Sequence, residues 1–537
     1  MTVGGAVMGA ALESSSHRHG QFSDACAYLT LLLGNGTVVE CSPTRFPELF
    51  AAVPGSYGTL ALLLKAGVEL EPCSPRVRIT YRAYEDVDAG IAALLKACGD
   101  GDICVRGGGG RGRGGLAQDR PVETVEGGSG TAVGGATSCG GADGGDGIAA
   151  DGGQYEAVAA PTARARGAPA FVEALHLPKG PVVVMTGDYY DGSGGNAEVE
   201  VRLEMAWGLW FYERVGRIAG RLLRPAAQID GAVANRAGGS QDCSSSSSSS
   251  SGYCGGSGNG GGSVAAHTEV VPTYDFIFRY DRGAFWMARP MAFAWRDVTL
   301  STAPLFLATD PNSLSRFLFR WFFTAERLYK LLHLASPKAV AETMLAHDFY
   351  VPADRAADLV RFVRGSVPIS TPLWLCPVRG PAGCPQPLSP HGVLPPESSG
   401  AASDFGGGGD KNGGGGSGGG SGKYGGGVCG GRLLVNVGVY GRVSDRRGEE
   451  HSRRLEAWLR HAGGRKMLYS QNFFSKKDFW EEYDDGSYRR LRAAVGAEDV
   501  FPDIYEKTCI GERGWPEDDP AASQGLRWRY RLSRLLL

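Results

Sequence analysis

The apolar residues of this chain recur with two periods, and the switches between them predict the order of its elements. In "AYLTLLLGNGTVVEC" two apolar runs flank Asn35-Gly36, a pair that supplies the positive φ angles of a tight turn, so the stretch reads as strand, turn, strand. A short helix over Pro47–Ala52 follows, then a Gly-Ser-Tyr-Gly turn and a buried apolar segment leading to Val68–Leu70. Val77, Ile79 and Tyr81 share one face of a strand, and Val87, Ile91, Leu94, Leu95 and Cys98 recur at helical spacing. "FVEALHL" and "VVVMTGDYY" read as strands, and strand, helix, strand, strand is an α+β unit. From Tyr274 to Val363 the pattern is aromatic and largely helical, with Ala356, Leu359, Val360 and Val363 repeating on one face behind Pro352. The last block alternates Leu433, Val435, Val437 and Val439. It continues with a helix holding Leu455, Trp458 and Leu459, a strand at "KMLYS", and helices around "KDFWEEY" and "YRRLRAAVG".

Composition interrupts this pattern in three places. Of 537 residues 83 are glycine, and most fall in tracts that have too few large apolar residues to offset chain entropy. Disordered insertions are therefore expected at about 99–167 and 237–266, with a disordered linker at 379–431. Insertions of this kind belong in loops, where added length is thermodynamically cheap. The net charge of −2 argues against a nucleic-acid binder, and "RGGGGRGRGG" reads better as a neutral insertion than as an RNA-binding segment. The twelve cysteines form no C-x-x-C pair and no zinc spacing, so reduced thiols are expected. No charged region precedes an apolar one as in a signal peptide, and no apolar run approaches the ~20 residues of a membrane span. The tail 516–537, ending "RWRYRLSRLLL", is basic and aromatic-aliphatic; it suits contact with an anionic membrane surface, or a docked terminal helix.

The candidate chemistry sits at the start. "TVGGAVMGAALESSSHRHG" spaces Gly4, Gly5, Gly9 and Gly20 among small residues, which lets backbone approach a flat or anionic ligand. Its serines and His17 add polar groups suited to a phosphate or a ring carbonyl. The dinucleotide fingerprint is excluded, because Met1-Thr2 leaves no room for its preceding strand. His17 and His19 lack an acidic or cysteine partner at metal-ligand spacing, and no G-x-S-x-G elbow is present for a serine hydrolase. Glu481-Glu482 and Asp484-Asp485 read as a solvated helix end rather than a catalytic pair. The Phe317–Phe323 region offers either plain core or an apolar wall for a ligand.

The stretch from "TVGGAVMGAALESSSHRHG" through "PGSYGTL" resembles the second half of a PCMH-type flavin-binding domain of the vanillyl-alcohol-oxidase superfamily. "ESSSHRHG", "ELFAAVPGSYGTLALLLKAGVEL", "YDFIFRYDRGAFWMARP", "PLWLCP", "VNVGVYG", "KMLYSQNFFSKKDFWEEYDDGSYRRLR" and "DVFPDIYEK" are similar, in order, to the delta-24 sterol reductase branch. The resemblance implies an α+β protein. Residues 1–75 would be the C-terminal half of the FAD-binding domain, 76–378 an α+β cap or substrate domain, and 432–515 a segment facing substrate and flavin.

It also implies non-covalent FAD, NADPH as hydride donor, a sterol substrate, and a place at the endoplasmic reticulum membrane or in the cytoplasm. Thr2, Val3, Gly4, Gly5, Met8, Gly9, Ser14, Ser15, Ser16, His17 and Gly20 fall on the family's flavin-contact stretch, with Gly58 and Thr59 near it. Tyr440, Tyr469 and Tyr488 are the candidate proton donors, since a phenol within hydrogen-bond reach can protonate a reacting carbon. The family's anchor and first flavin half-domain have no counterpart before Met1, so this chain alone is expected to hold FAD weakly or not at all. Another flavin-linked oxidase of the superfamily, or a remnant without catalysis, are the alternative readings.

Overall fold

The hairpin at "LGNGT" opens a small antiparallel sheet of order β2-β1-β3, formed by β1 (Cys26–Leu33), β2 (Val38–Cys41) and β3 (Ala61–Val68). In its turn only Gly36 takes a positive φ, +84°, so the paired-residue turn expected from Asn35-Gly36 does not form. Asn35 instead accepts a 3.0 Å bond from the Thr37 N–H through its side-chain oxygen. The segment expected to be buried after the Gly-Ser-Tyr-Gly turn is β3, and it is half exposed. Leu62 and Leu64 alternate outward, 53 % and 52 % accessible. The other face of this sheet buries Leu29, Leu31, Leu33 and Cys41. They pack against Val7 of α1 (Val3–Met8), Leu49 of α3 (Pro47–Ala52), and Val495 and Ala497 from the far end of the chain.

A computed structural model of the chain describes residues 2–99, 167–178, 180–192, 200–203, 208–224, 264–282, 317, 321, 324–332, 336–380, 388–389, 433–510 and 514–515. The cores of the three glycine-rich tracts and the tail lie outside these residues. Two boundaries of the tracts move. Ala266 begins a strand, and Leu388 and Ser389, inside the supposed linker, are buried.

The larger sheet has eight strands, all paired antiparallel, in the order β11-β8-β10-β9-β5-β6-β4-β7. They are β4 (Arg76–Tyr84), β5 (Phe171–His176), β6 (Val182–Tyr190), β7 (Ala266–Pro272), β8 (Met344–Pro352), β9 (Leu373–Arg379), β10 (Leu433–Arg442) and β11 (Arg465–Lys466). β8 corrects the helical reading of 274–363, and β11 is shorter than the strand expected at "KMLYS". Central β10 is buried at nine positions in succession, Leu433–Gly441, so both faces of the sheet are covered.

One face is apolar. Val435, Val437, Val439, Leu373, Leu375, Val172, Ala174 and Val184 meet α4 (Val87–Ala97) and the helices Ala356–Ser366 and Gly448–His461, whose Leu359, Val363, Leu455 and Leu459 point inward. The opposite face carries Val77, Ile79 and Tyr81 under α5 (Phe211–Leu222) at one end and polar side chains in the middle. Among the described residues no helix is long and apolar enough to cross a membrane. The mixture of helices and antiparallel sheets is α+β.

Truncating Leu375, wholly buried at the centre of β9, is expected to cost about 2–5 kcal/mol in urea unfolding. Leu62→Ala on the open face should stay within about 0.5 kcal/mol of the parent. Equal losses at both positions would contradict the two-faced packing described here.

Candidate active site

The N-terminal stretch is helical where a glycine-rich turn was expected. Thr2 caps α1 by accepting the Gly5 N–H at 3.1 Å, and the helix stops at Gly9 and Ala10, the latter at φ +51°. A non-glycine residue held in that region marks local strain. Ala10 and Leu12 then lie against Tyr350, Val378, Leu434 and Met467. The chain crosses the edges of β9 and β5 through α2 (Ser16–His19). Val172 N–H donates to the Ser14 carbonyl at 2.8 Å, and Arg379 Nε to that of His17 at 3.2 Å.

Most side chains of this stretch are spent inside the protein. Ser14 Oγ accepts from Arg279 Nη2 at 3.2 Å and Ser16 Oγ from the Glu13 N–H at 2.9 Å. Thr59 Oγ1 donates to the Ser56 carbonyl at 2.8 Å. His17 is buried with its ring nitrogens 3.1 Å and 2.9 Å from the carbonyls of Ser14 and Pro169. Burial outweighs those acceptors and holds its pKa down at about 4, so the ring is neutral at pH 7. Gly20 and Gly58 take left-handed φ of 72° and 75°. Of the predicted contact residues Thr2, Val3 and Gly5 are exposed, and Gly4, Met8, Gly9 and Ser15 are half-buried.

Beside this open edge lies a carboxyl group the sequence reading overlooked. Asp348 projects from the polar face of β8 and is buried. Asn436 Nδ2 donates to its Oδ1 at 2.8 Å, while Tyr440 and Tyr469 donate to its Oδ2 at 2.7 Å and 2.9 Å. Burial pushes the Asp348 carboxyl above its usual range, and these three donors only partly offset that. Gly438 stands directly between Asp348 and Trp374 in register, and a side chain there would come within 3.1 Å of the carboxylate and 3.3 Å of the Trp374 Cβ. Tyr57 closes the group from the N-terminal side. Its φ is +52°, its phenol binds the backbone at Leu468 and Tyr469, and its ring lies 3.7 Å from where a Cβ on Gly9 would stand.

A second polar group continues the same face. Arg279 donates to both oxygens of Glu173, at 2.9 Å and 3.0 Å, and Trp374 Nε1 and Tyr280 Oη also donate to that carboxylate, at 2.8 Å and 3.2 Å. Glu13 lies 3.6 Å from Arg279, a cation already matched by Glu173, and burial followed by the opposing pull of Arg279 leaves its carboxyl raised. Glu13 and Tyr469 are both exposed, at 58 % of the side chain and 46 % of the residue surface respectively, where the N-terminal stretch meets the polar face of the large sheet.

The structure thus brings Tyr440 and Tyr469 together at Asp348 and leaves Tyr488 apart. Tyr488 Oη donates to Thr59 Oγ1 at 3.0 Å, accepts the Ile504 N–H at 2.9 Å, and is fully buried. It is a packing residue between Thr59 and the C-terminal helices. The acidic run is not a solvated helix end throughout. Asp484 caps the helix Asp485–Ala494, and burial raises the Glu482 carboxyl to about 8. Phe317 and Trp321 are exposed, so neither is core; the rest of that aromatic run lies outside the described residues. No cluster of three metal-ligating side chains occurs among the described residues. Asp348 escaped notice because its segment was read as helix; "VNVGVYG" did carry a signal, since Asn436, Gly438 and Tyr440 share the face opposite the valines.

No family model matches the chain. It is related along nearly its whole length to proteins named Delta(24)-sterol reductase. The Homo sapiens protein is 22 % identical over 521 residues, covering 96 % of this chain and 69 % of the relative. The Pisum sativum protein is 21 % identical over 531 residues, covering 96 % and 68 %. Cytokinin dehydrogenase 8 of Oryza sativa subsp. indica is 33 % identical over 88 residues, 16 % of each chain.

The buried histidines predict acid lability. His17 and His176 both sit at about 4, below the ordinary 6.5, through burial. Unfolding lets each take up a proton, so stability falls as pH drops from 6.5 towards 4, by on the order of 2–3 kcal/mol per ring. Urea midpoints at pH 7 and 4.5 test this. His17→Gln should flatten the decline, and an undiminished slope in that variant would remove His17 from the account.

Proposed function

We propose that this chain is an FAD-dependent oxidoreductase that reduces the side-chain C24 double bond of a sterol, with NADPH as the reductant. The near full-length relation to the Delta(24)-sterol reductases carries the reading. The site supports it, because reducing an alkene requires a hydride on one carbon and a proton on the other, and two phenols sit here on a carboxyl group that burial raises above its usual range. The membrane solubility of a sterol makes the endoplasmic reticulum surface the expected place of action.

The residues fit a flat ring system in part. Val3–Gly5, Met8 and Gly9 offer an open strip of backbone and small side chains, and Tyr57 faces Gly9 across it. Ser14, Ser16, His17 and Thr59 would act by shaping this strip, since their side chains are already bonded. In this proposal residues 1–75 form the FAD-binding half-domain, and residues 76–378 and 432–515 form the cap that faces it. FAD held non-covalently there would, once reduced by NADPH, supply the hydride.

The remaining chemistry belongs to this chain. Tyr469 donates its proton to the alkene carbon that gains electron density as hydride reaches the other, and Asp348, when protonated, returns a proton to Tyr469 Oη across their 2.9 Å contact. Tyr440 and Asn436 hold Asp348 in place. The raised Asp348 carboxyl keeps this proton above the usual carboxylate range, so the rate should fall as pH rises through its pKa.

NADPH-dependent reduction of a Δ24 sterol by the protein supplied with FAD is the direct assay, read alongside flavin absorbance of the purified complex. Tyr469→Phe should lower kcat by about a hundredfold or more, and Asp348→Asn should lower it and abolish the alkaline limb. Parent-like turnover in Tyr469→Phe would eliminate it as the donor. A second reading, an alcohol or amine oxidase, draws on the shorter likeness to cytokinin dehydrogenase. Peroxide formation without sterol reduction would favour it.

A further inference from the structure

The loop that carries Tyr469 is fastened from behind, on the opposite face of β8 from Asp348. His347 follows the pleat to the apolar face and is buried between two helix-side hydroxyls, its Nε2 2.8 Å from Ser452 Oγ and its Nδ1 2.8 Å from Ser470 Oγ. The direction of each bond can be fixed. Ser452 Oγ donates its single proton to the Gly448 carbonyl at 2.9 Å, so toward His347 it can only accept. His347 therefore carries its proton on Nε2, and Nδ1 accepts from Ser470. The chain of bonds runs from Ser470 through His347 and Ser452 to the Gly448 carbonyl, and needs a neutral ring. Burial, with Lys466 nearby, keeps the ring well below its ordinary pKa.

The neighbouring residues of the loop are held as firmly. Lys466 Nζ donates to the Gln471 carbonyl at 2.8 Å and pairs with buried Glu456 at 2.7 Å. Phe473 N–H donates to Glu456, 3.2 Å from each oxygen. Asn472 Nδ2 reaches the carbonyls of Leu468, Ser470 and Thr508 at 3.2, 2.9 and 3.0 Å. Tyr469 turns the other way, toward Asp348.

We infer that His347 is a positioning residue for the reduction: by anchoring Ser470 it fixes the adjacent Tyr469 over Asp348 at the distance proton transfer requires. This rests on the function proposed above. A hydrophobic filler would preserve the packing but leave Ser470 untethered. Proton transfer is sensitive to such slack, since a displacement on the order of 1 Å can cost up to a hundredfold in rate.

Three variants of the FAD-supplied full chain test the inference: His347→Leu, His347→Gln and Ser470→Ala. Glutamine can copy the tautomer, donating through Nε2 and accepting through Oε1. Turnover is read as kcat and KM for a Δ24 sterol. The Tyr469 ring is followed independently by fluorine NMR of protein labelled with 3-fluorotyrosine, its signal assigned by loss in Tyr469→Phe. We expect His347→Leu and Ser470→Ala to lower kcat about tenfold, with KM within about twofold, and to shift or broaden the Tyr469 signal. His347→Gln should restore most of both. A parent-like kcat and an unmoved Tyr469 signal in Ser470→Ala and His347→Leu would overturn the inference, as would a lowered unfolding temperature with neither effect. If His347→Leu does not fold, Ser470→Ala and His347→Gln decide alone. If the parent reduces no sterol yet the Tyr469 signal moves, the positioning stands and the sterol reading fails.

Discussion

Covering both faces of the eight-stranded sheet is the constraint on which the site depends. A sheet open to water on one side can put any polar residue there. This one cannot, because its central strand is buried throughout Leu433–Gly441. Polar groups on its second face must find partners or neutralise. Glu173 meets Arg279, Trp374 and Tyr280, whereas Asp348 meets only neutral donors. The difference separates their chemistry. A carboxylate locked to a guanidinium is fastened as a structural ion pair. One surrounded by an amide and two phenols can hold a proton.

The C-terminal helices join the small sheet to this larger one. Arg492 donates to the carbonyls of Thr59, Ala497, Glu498, Phe501 and Pro502, so one buried cation ties the loop after the Gly-Ser-Tyr-Gly turn to the turns at 497–502. Phe479, Tyr483, Tyr488 and Ile504 complete the same joint against Ala52 and Leu60. Tyr57 lies in that same turn with a φ of +52°, and its carbonyl accepts from Lys507 Nζ at 2.6 Å.

Local pattern was legible where one face of an element decides its fate. The short helix at 47–52 was legible, the helices at 87–97 and 356–366 and the one holding Leu455, Trp458 and Leu459 showed in their apolar spacing, and β4 in its alternation. β8 was not legible, because "MLAHDFYVP" is buried on both faces and shows no alternation for a period to reveal. The open face of β3 was misjudged for the opposite reason, since leucines outside look the same in sequence as leucines inside. At the site, residue type pointed to Tyr440 and Tyr469 but also to Tyr488, which only packing distinguishes. The serines and His17 looked like ligand donors in sequence. Their partners, Arg279 and Pro169, lie hundreds of residues or a long insertion away and could not be read from the stretch itself.

The buried face of the small sheet has a consequence for how the protein comes into being. Leu29, Leu31 and Leu33 emerge from the ribosome more than four hundred residues before Val495 and Ala497, which help cover them. At about 5–20 residues per second, the first hairpin waits tens of seconds on the ribosome with its leucines unsheltered. The long separation in sequence also slows closure once the chain is released. The order of synthesis thus leaves one face of the small sheet open until the segment around Val495 has been added.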